Sequence, residues 1–183
     1  MKASVIRTIL AGLAGGLALA LTNFLTFGLL GGSRRGQTGL LFDPATQSHK
    51  AIAVYKEIEP LPYIITRPYL ILAGFVVFAI GHALLYRSVA AAWPARFGAH
   101  LWRLTLTVWF VGTLFFEFLA PFNLMHETFR AQRWELLFWA LSCTAEASVI
   151  VALIRPRLAR PAAAAAAALG PAAAASEQAT TPA

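Results

Sequence analysis

The sequence predicts an all-α integral membrane protein, a four-helix bundle with a short amphipathic interfacial helix between spans 1 and 2. Three observations carry this fold class. Of 183 residues, 58% are hydrophobic and only 13% charged, where a soluble domain carries about 25% charged residues. The mean hydropathy is +0.65. Four apolar runs approach or exceed the roughly 20 residues that a helix needs to cross hydrocarbon, and none alternates as a barrel strand would.

The first span covers about residues 5–31. Lys2 and Arg7 precede it, and Ala18-Leu19-Ala20 resembles a signal-peptide cleavage site. The apolar character continues through LTNFLTFGLL, however, beyond the roughly 7 to 15 residues of a signal core, so an uncleaved helix is expected. Gly12 and Gly16 are four apart, as are Ala11 and Gly15. Small residues at that spacing let two helix backbones approach closely, here against another helix of the same chain in preference to a dimer partner.

The loop over residues 32–68 contains a helix signal of its own. Asp43 is a good N-cap and Pro44 a good first helical residue. Ala51, Val54, Tyr55 and Ile58 then recur on one side, with His49, Lys50, Lys56 and Glu57 opposite, until Pro60 and Pro62 end the run. Such a helix lies on the outer membrane surface or caps the bundle. Arg67-Pro68 opens the second span, 69–86; the third covers 104–124 and the fourth 136–154. Residues 1–155 thus form one transmembrane domain. Residues 156–183 are an Ala/Pro-rich tail with little to bury, expected to be disordered.

Orientation rests on the basic residues. With the N-terminus inside, eight of the 15 Lys and Arg fall on the inner side and seven on the outer, a small bias toward cytoplasmic N and C termini in a bacterial inner membrane. Tyr69 and Trp134 at outer borders, and Tyr86, Trp93 and Trp102 at inner ones, fit aromatic belts. The formal charge of +7 follows these borders and forms no patch on a polar domain. That argues for anionic lipid headgroups and against nucleic acid.

Ionisable groups inside a span cost about 2.5 to 3.5 kcal/mol at the helix centre and normally face the bundle interior. Glu117 and Glu146 are such groups. At roughly 1.5 Å per residue, Asn23, Glu117 and Ser142 lie roughly 24, 21 and 20 Å from the inner border, and Glu146 roughly 14 Å. The expected buried polar cluster is therefore Glu117, Glu146, Asn23 and Ser142, with Gly12 and Gly16 as packing positions. Glu135, Trp139, Ser142 and Glu146 share one side of the fourth span. Pro121 leaves the Glu117 carbonyl without its helical partner, and Asn123, His126 and Glu127 fall in the watery exit of the third span.

Chemistry-bearing motifs are lacking. His82 and His100 are near the inner side but offer no pair at matching depth for haem, and His126-Glu127 lacks the second histidine of a zinc protease motif. Cys143 is the single cysteine, so it has no disulfide partner in the chain and no thiolate metal set is formed. No catalytic residue, cofactor or metal ligand is assigned.

The short first-loop helix, EFLAPFNL closing the third span and WELLFW opening the fourth together resemble small four-span membrane proteins of bacteria. The resemblance is general, covers residues 1 to about 155, and implies fold and location without an assigned reaction. The expected function is structural, or accessory to a membrane partner, in contact with the lipid bilayer and alone or as a homo-oligomer. The alternative is a small transporter or proton- or cation-conducting protein that uses the buried carboxylates.

Overall fold

The computed structural model describes the backbone of residues 2–33 and 38–178 and the side chains of 5–33 and 38–154. It is all-helical, without strands among the described residues. Four helices are long and apolar enough to cross a membrane by length and composition: Val5–Leu30, Pro68–Ala92, Phe97–Met125 and Phe129–Ile154. Each of the last three begins one to two turns earlier than hydropathy alone indicates or runs beyond its predicted end. Arg, Trp and polar residues at the borders remain good helix formers, and the backbone ladder does not stop where the apolar character does.

The first helix, α1 (Lys2–Asn23), continues in wide π-type turns over Phe24–Leu30. There the Thr26 hydroxyl donates to Thr22 O (2.8 Å) and the Thr22 hydroxyl to Ala18 O (2.9 Å), and such back-bonding competes with the helical ladder. The loop helix α2 (His49–Lys56) is capped by Ser48, whose hydroxyl accepts from Ala51 N at 3.1 Å. Asp43 does not start it: its side chain accepts from Ala45 N at 2.9 Å in a separate turn. Of the expected apolar side, Ala51 is buried while Ile58 is 54% exposed, because the helix ends at Lys56 and Ile58 lies beyond it.

A short turn, α3 (Tyr63–Thr66), leads into α4 (Pro68–Val89), with proline at its first position as expected. The third long helix starts as α5 (Phe97–Thr107) and loosens into wide turns over Val108–Leu114 and again over Phe118–Phe122. Pro121 sits in the second of these, where its missing N–H breaks the ladder. The last helix, α6, spans Phe129–Gln178. Its backbone stays helical over much of the segment for which composition predicts disorder. Alanine has the highest intrinsic helix propensity, which favours a helical backbone in this run. Residues 179–183 of that tail lie outside the described residues.

Helix α1 packs against both α4 and α6, and the third helix packs against α6. The glycines explain the first contact: a Cβ on Gly12 would stand 2.5 Å from the Ile80 Cα, and one on Gly16 2.8 Å from the Val76 Cα. Gly15 faces the other way, toward Ile150 of α6. Near the N-terminal end of α1, Ala11, Ala83, Tyr86, Leu104, Val108, Cys143 and Ile150 form one core drawn from all four helices. A second core of Leu41, Phe42 and Phe138, flanked by Phe27, Ile52 and Tyr55, joins the first loop to α6.

Candidate functional site

The intramembrane-type acids of the sequence separate into two sites. At the end carrying α2, Glu117, Glu127 and Glu135 each offer a carboxylate oxygen, and these oxygens lie within 4.8 Å of one another. The three residues are 2%, 6% and 7% exposed. Glu117 comes from the third helix, Glu127 from the link between the third helix and α6, and Glu135 from α6. Trp139 Nε1 donates to Glu117 Oε1 at 2.6 Å, and Gln132 Nε2 donates to Glu117 Oε2 at 3.4 Å. Gln132, Glu135 and Trp139 share a face of α6 at spacings of three and four.

The first loop holds Glu127 in place. His126, just before it, takes a left-handed turn with φ of 53°, an uncommon conformation for a residue other than glycine. Ser48 Oγ donates to Met125 O at 2.9 Å, and the Thr128 hydroxyl donates to Thr46 O. Both partners come from the segment leading into α2. Burial pushes the Glu127 carboxyl up to about 7, and the neighbouring Glu117 charge adds to the rise. The Tyr55 phenol is held well above its ordinary value, first by burial and then by the negative charge of Glu135, Glu127 and Glu117, so α2 also faces the trio.

Three buried acids this close cannot all stay ionised alone. Two carboxylates about 4 Å apart repel by about 4 kcal/mol at an effective dielectric of 20. Among the described residues, no lysine or arginine forms an ion pair with any of the three. Shared protons or a bound cation would each relieve this repulsion.

The second site joins α4 to α6. His82 Nδ1 lies 2.7 Å from Glu146 Oε1, with Glu146 1% and the His82 side chain 22% exposed. The second Glu146 oxygen and the Ser142 hydroxyl, one turn away on the same face, are buried without a hydrogen-bond partner. Nearer the N-terminal end of α1, Tyr86 Oη and His100 Nδ1 are 2.8 Å apart, and Arg87 Nη1 donates to Thr8 Oγ1 at 3.2 Å.

The expected cluster is thus divided. Glu146 and Ser142 lie on one face of α6, but the hydrogen bonds of Glu117 go to Trp139 and Gln132. Asn23 is buried and is not among those partners; its carbonyl accepts from the Thr26 hydroxyl at 3.3 Å. Asn123 and His126 are exposed, whereas Glu127 is buried. The assignment of Glu127 to a watery exit fails because the first loop folds over it. Glu146 meets His82, a pairing that sequence spacing did not indicate. Gln132 and the donor role of Trp139 were missed; extending the stripe through Glu135 and Trp139 back by three residues reaches Gln132.

Fold and site together define an all-helical protein with four helices suited to a multi-pass membrane protein and two separate buried acid sites. No family model matches the chain, and neither a curated protein nor a solved structure matches it at a significant level.

Proposed function

We propose that the chain is a multi-pass protein of the bacterial inner membrane, with its four long helices bundled across the bilayer and both termini cytoplasmic. In this reading it is structural, or accessory to a membrane partner, and its buried polar groups hold the helices in register. One observation carries it: two buried acids of the long helices bond across a helix interface, Glu146 to His82 of α4 and Glu117 to Trp139 of α6. In hydrocarbon such bonds select one register, because the alternatives leave a polar group unpaired. The outward side of the third helix, with Phe110, Val111 and Phe115 between 61% and 70% exposed, suits lipid or a membrane partner.

A second reading, a proton- or cation-conducting protein, is favoured by the three carboxylates that converge at the α2 end. Proteoliposome flux decides between them. The register reading expects no proton or cation flux above that of empty vesicles, and a lower unfolding midpoint for His82→Ala and Trp139→Phe. Flux that Glu117→Gln or Glu146→Gln abolishes, with the fold intact, overturns it in favour of conduction.

A further inference from the structure

We propose that Glu117, Glu127, Glu135 and Gln132 form a binding site for one hard divalent cation of the Mg²⁺, Mn²⁺ or Ca²⁺ class. The site lies where the first loop covers the ends of the third helix and α6. It goes beyond both readings above, since an ion held there is static and serves equally in a register-holding or a conducting protein.

Geometry is the first argument. Oxygens bound to one ion at roughly 2.4 Å cannot stand more than about 4.8 Å apart, and the three carboxylates meet that limit. The second argument is independent of the acids. Gln132 is 2% exposed and its amide sits at the cluster, with Nε2 on Glu117 Oε2 at 3.4 Å. Its Oε1 nevertheless has no hydrogen-bond partner. A buried acceptor left so costs about 1 to 3 kcal/mol, and a half-turn of the amide would bring this oxygen, in place of Nε2, toward Glu117. Glu127 Oε2 is buried and unpartnered as well.

The donor set names the class of ion. Three carboxylates and an amide oxygen, without cysteine or histidine, suit hard cations over zinc or copper. Trp139 fixes one oxygen of Glu117, and the bonds from Ser48 to Met125 and from Thr128 to Thr46 fix the link that carries Glu127. The ligands thus sit on a rigid frame, and the ion would cross-link the third helix, the link and α6.

The test uses the full chain in neutral-lipid nanodiscs, stripped with chelator and then titrated with Mn²⁺ by electron paramagnetic resonance and with Ca²⁺ by calorimetry. The expected result is one saturable site per chain, weakened at least tenfold by Glu127→Gln and by Glu135→Gln and unchanged by Glu57→Gln, an exposed acid. Should the glutamine variants not fold, wild-type protein still answers through Tb³⁺. Its luminescence is expected to be sensitised by the neighbouring Trp139 and displaced by Ca²⁺, with most of the signal lost in Trp139→Phe. Absence of saturable binding, equal binding by Glu127→Gln and Glu135→Gln in folded protein, or Tb³⁺ emission that survives Trp139→Phe undiminished overturns the proposal.

Discussion

His82 and Glu146, 64 residues apart in the chain, meet at 2.7 Å between α4 and α6. Glu146 is almost fully buried, and its other oxygen has no partner. His82→Ala therefore leaves both Glu146 oxygens without a partner, and a buried acceptor left so costs about 1 to 3 kcal/mol. Glu146→Gln keeps an acceptor for the ring and is expected to cost less. Unfolding by a denaturing detergent in mixed micelles measures both; equal and negligible losses would show that the pair does not hold α4 to α6.

Close packing of α1 on α4 makes its own prediction. Gly12→Ala places a methyl against the backbone of Ile80, which cannot move aside as a flexible side-chain end does. A loss of about 1 to 3 kcal/mol is expected from such overpacking. Gly81, with nothing within 4 Å of an added Cβ, is the control: Gly81→Ala should leave the unfolding midpoint unchanged or slightly raised.

Glu127 predicts a pH dependence for chelator-treated protein. Burial raises its folded value from an ordinary 4.5 to about 7, so between these values the folded state binds more protons than the unfolded one. Stability then falls as pH rises from about 4.5 to about 7 and levels off beyond. The groups facing it are Glu117 of the third helix, Glu135 of α6, Tyr55 of α2 and the neutral Gln47 before α2. Urea or detergent unfolding across that window should show the decline in wild type and a flatter profile in Glu127→Gln; a rise with pH, or an equal decline in the variant, would refute the assignment.

Topology is checked by labelling. In the proposed orientation, Glu57→Cys faces the periplasm and Ala95→Cys the cytoplasm, while the native Cys143 is only 2% exposed. A membrane-impermeant maleimide applied to whole cells with a permeable outer membrane should label Glu57→Cys and spare Ala95→Cys. The reverse pattern inverts the protein.

Much of the fold was legible because its determinants are local. Pro68 opens α4 where an Arg-Pro step was expected, and the glycines of α1 face a neighbour in the same chain. Cap chemistry was less legible: Asp43 and Ser48 are both good N-cap residues, and only the position of the chain against Met125 makes Ser48 the one in use. The candidate site was half legible. Glu117 stood out as a carboxylate among aromatics, and Trp139 with Glu135 lay on a visible stripe. Glu127 read as a solvated loop residue, since sequence spacing carries no information about a loop folding back 80 residues later.

By itself the sequence determined that this chain is helical, that four of its helices are apolar enough to cross a bilayer, and that Glu117 and Glu146 lie within them. Those properties follow from composition and from periodicity along one helix, which need no distant contact. The tertiary structure alone decided which partners the acids have. Glu146 meets His82 and Glu117 meets Trp139 because α4 and the third helix pack on particular faces of α6. Glu127 and Glu135 join Glu117 because the link after the third helix turns sharply at His126 and the first loop closes over it.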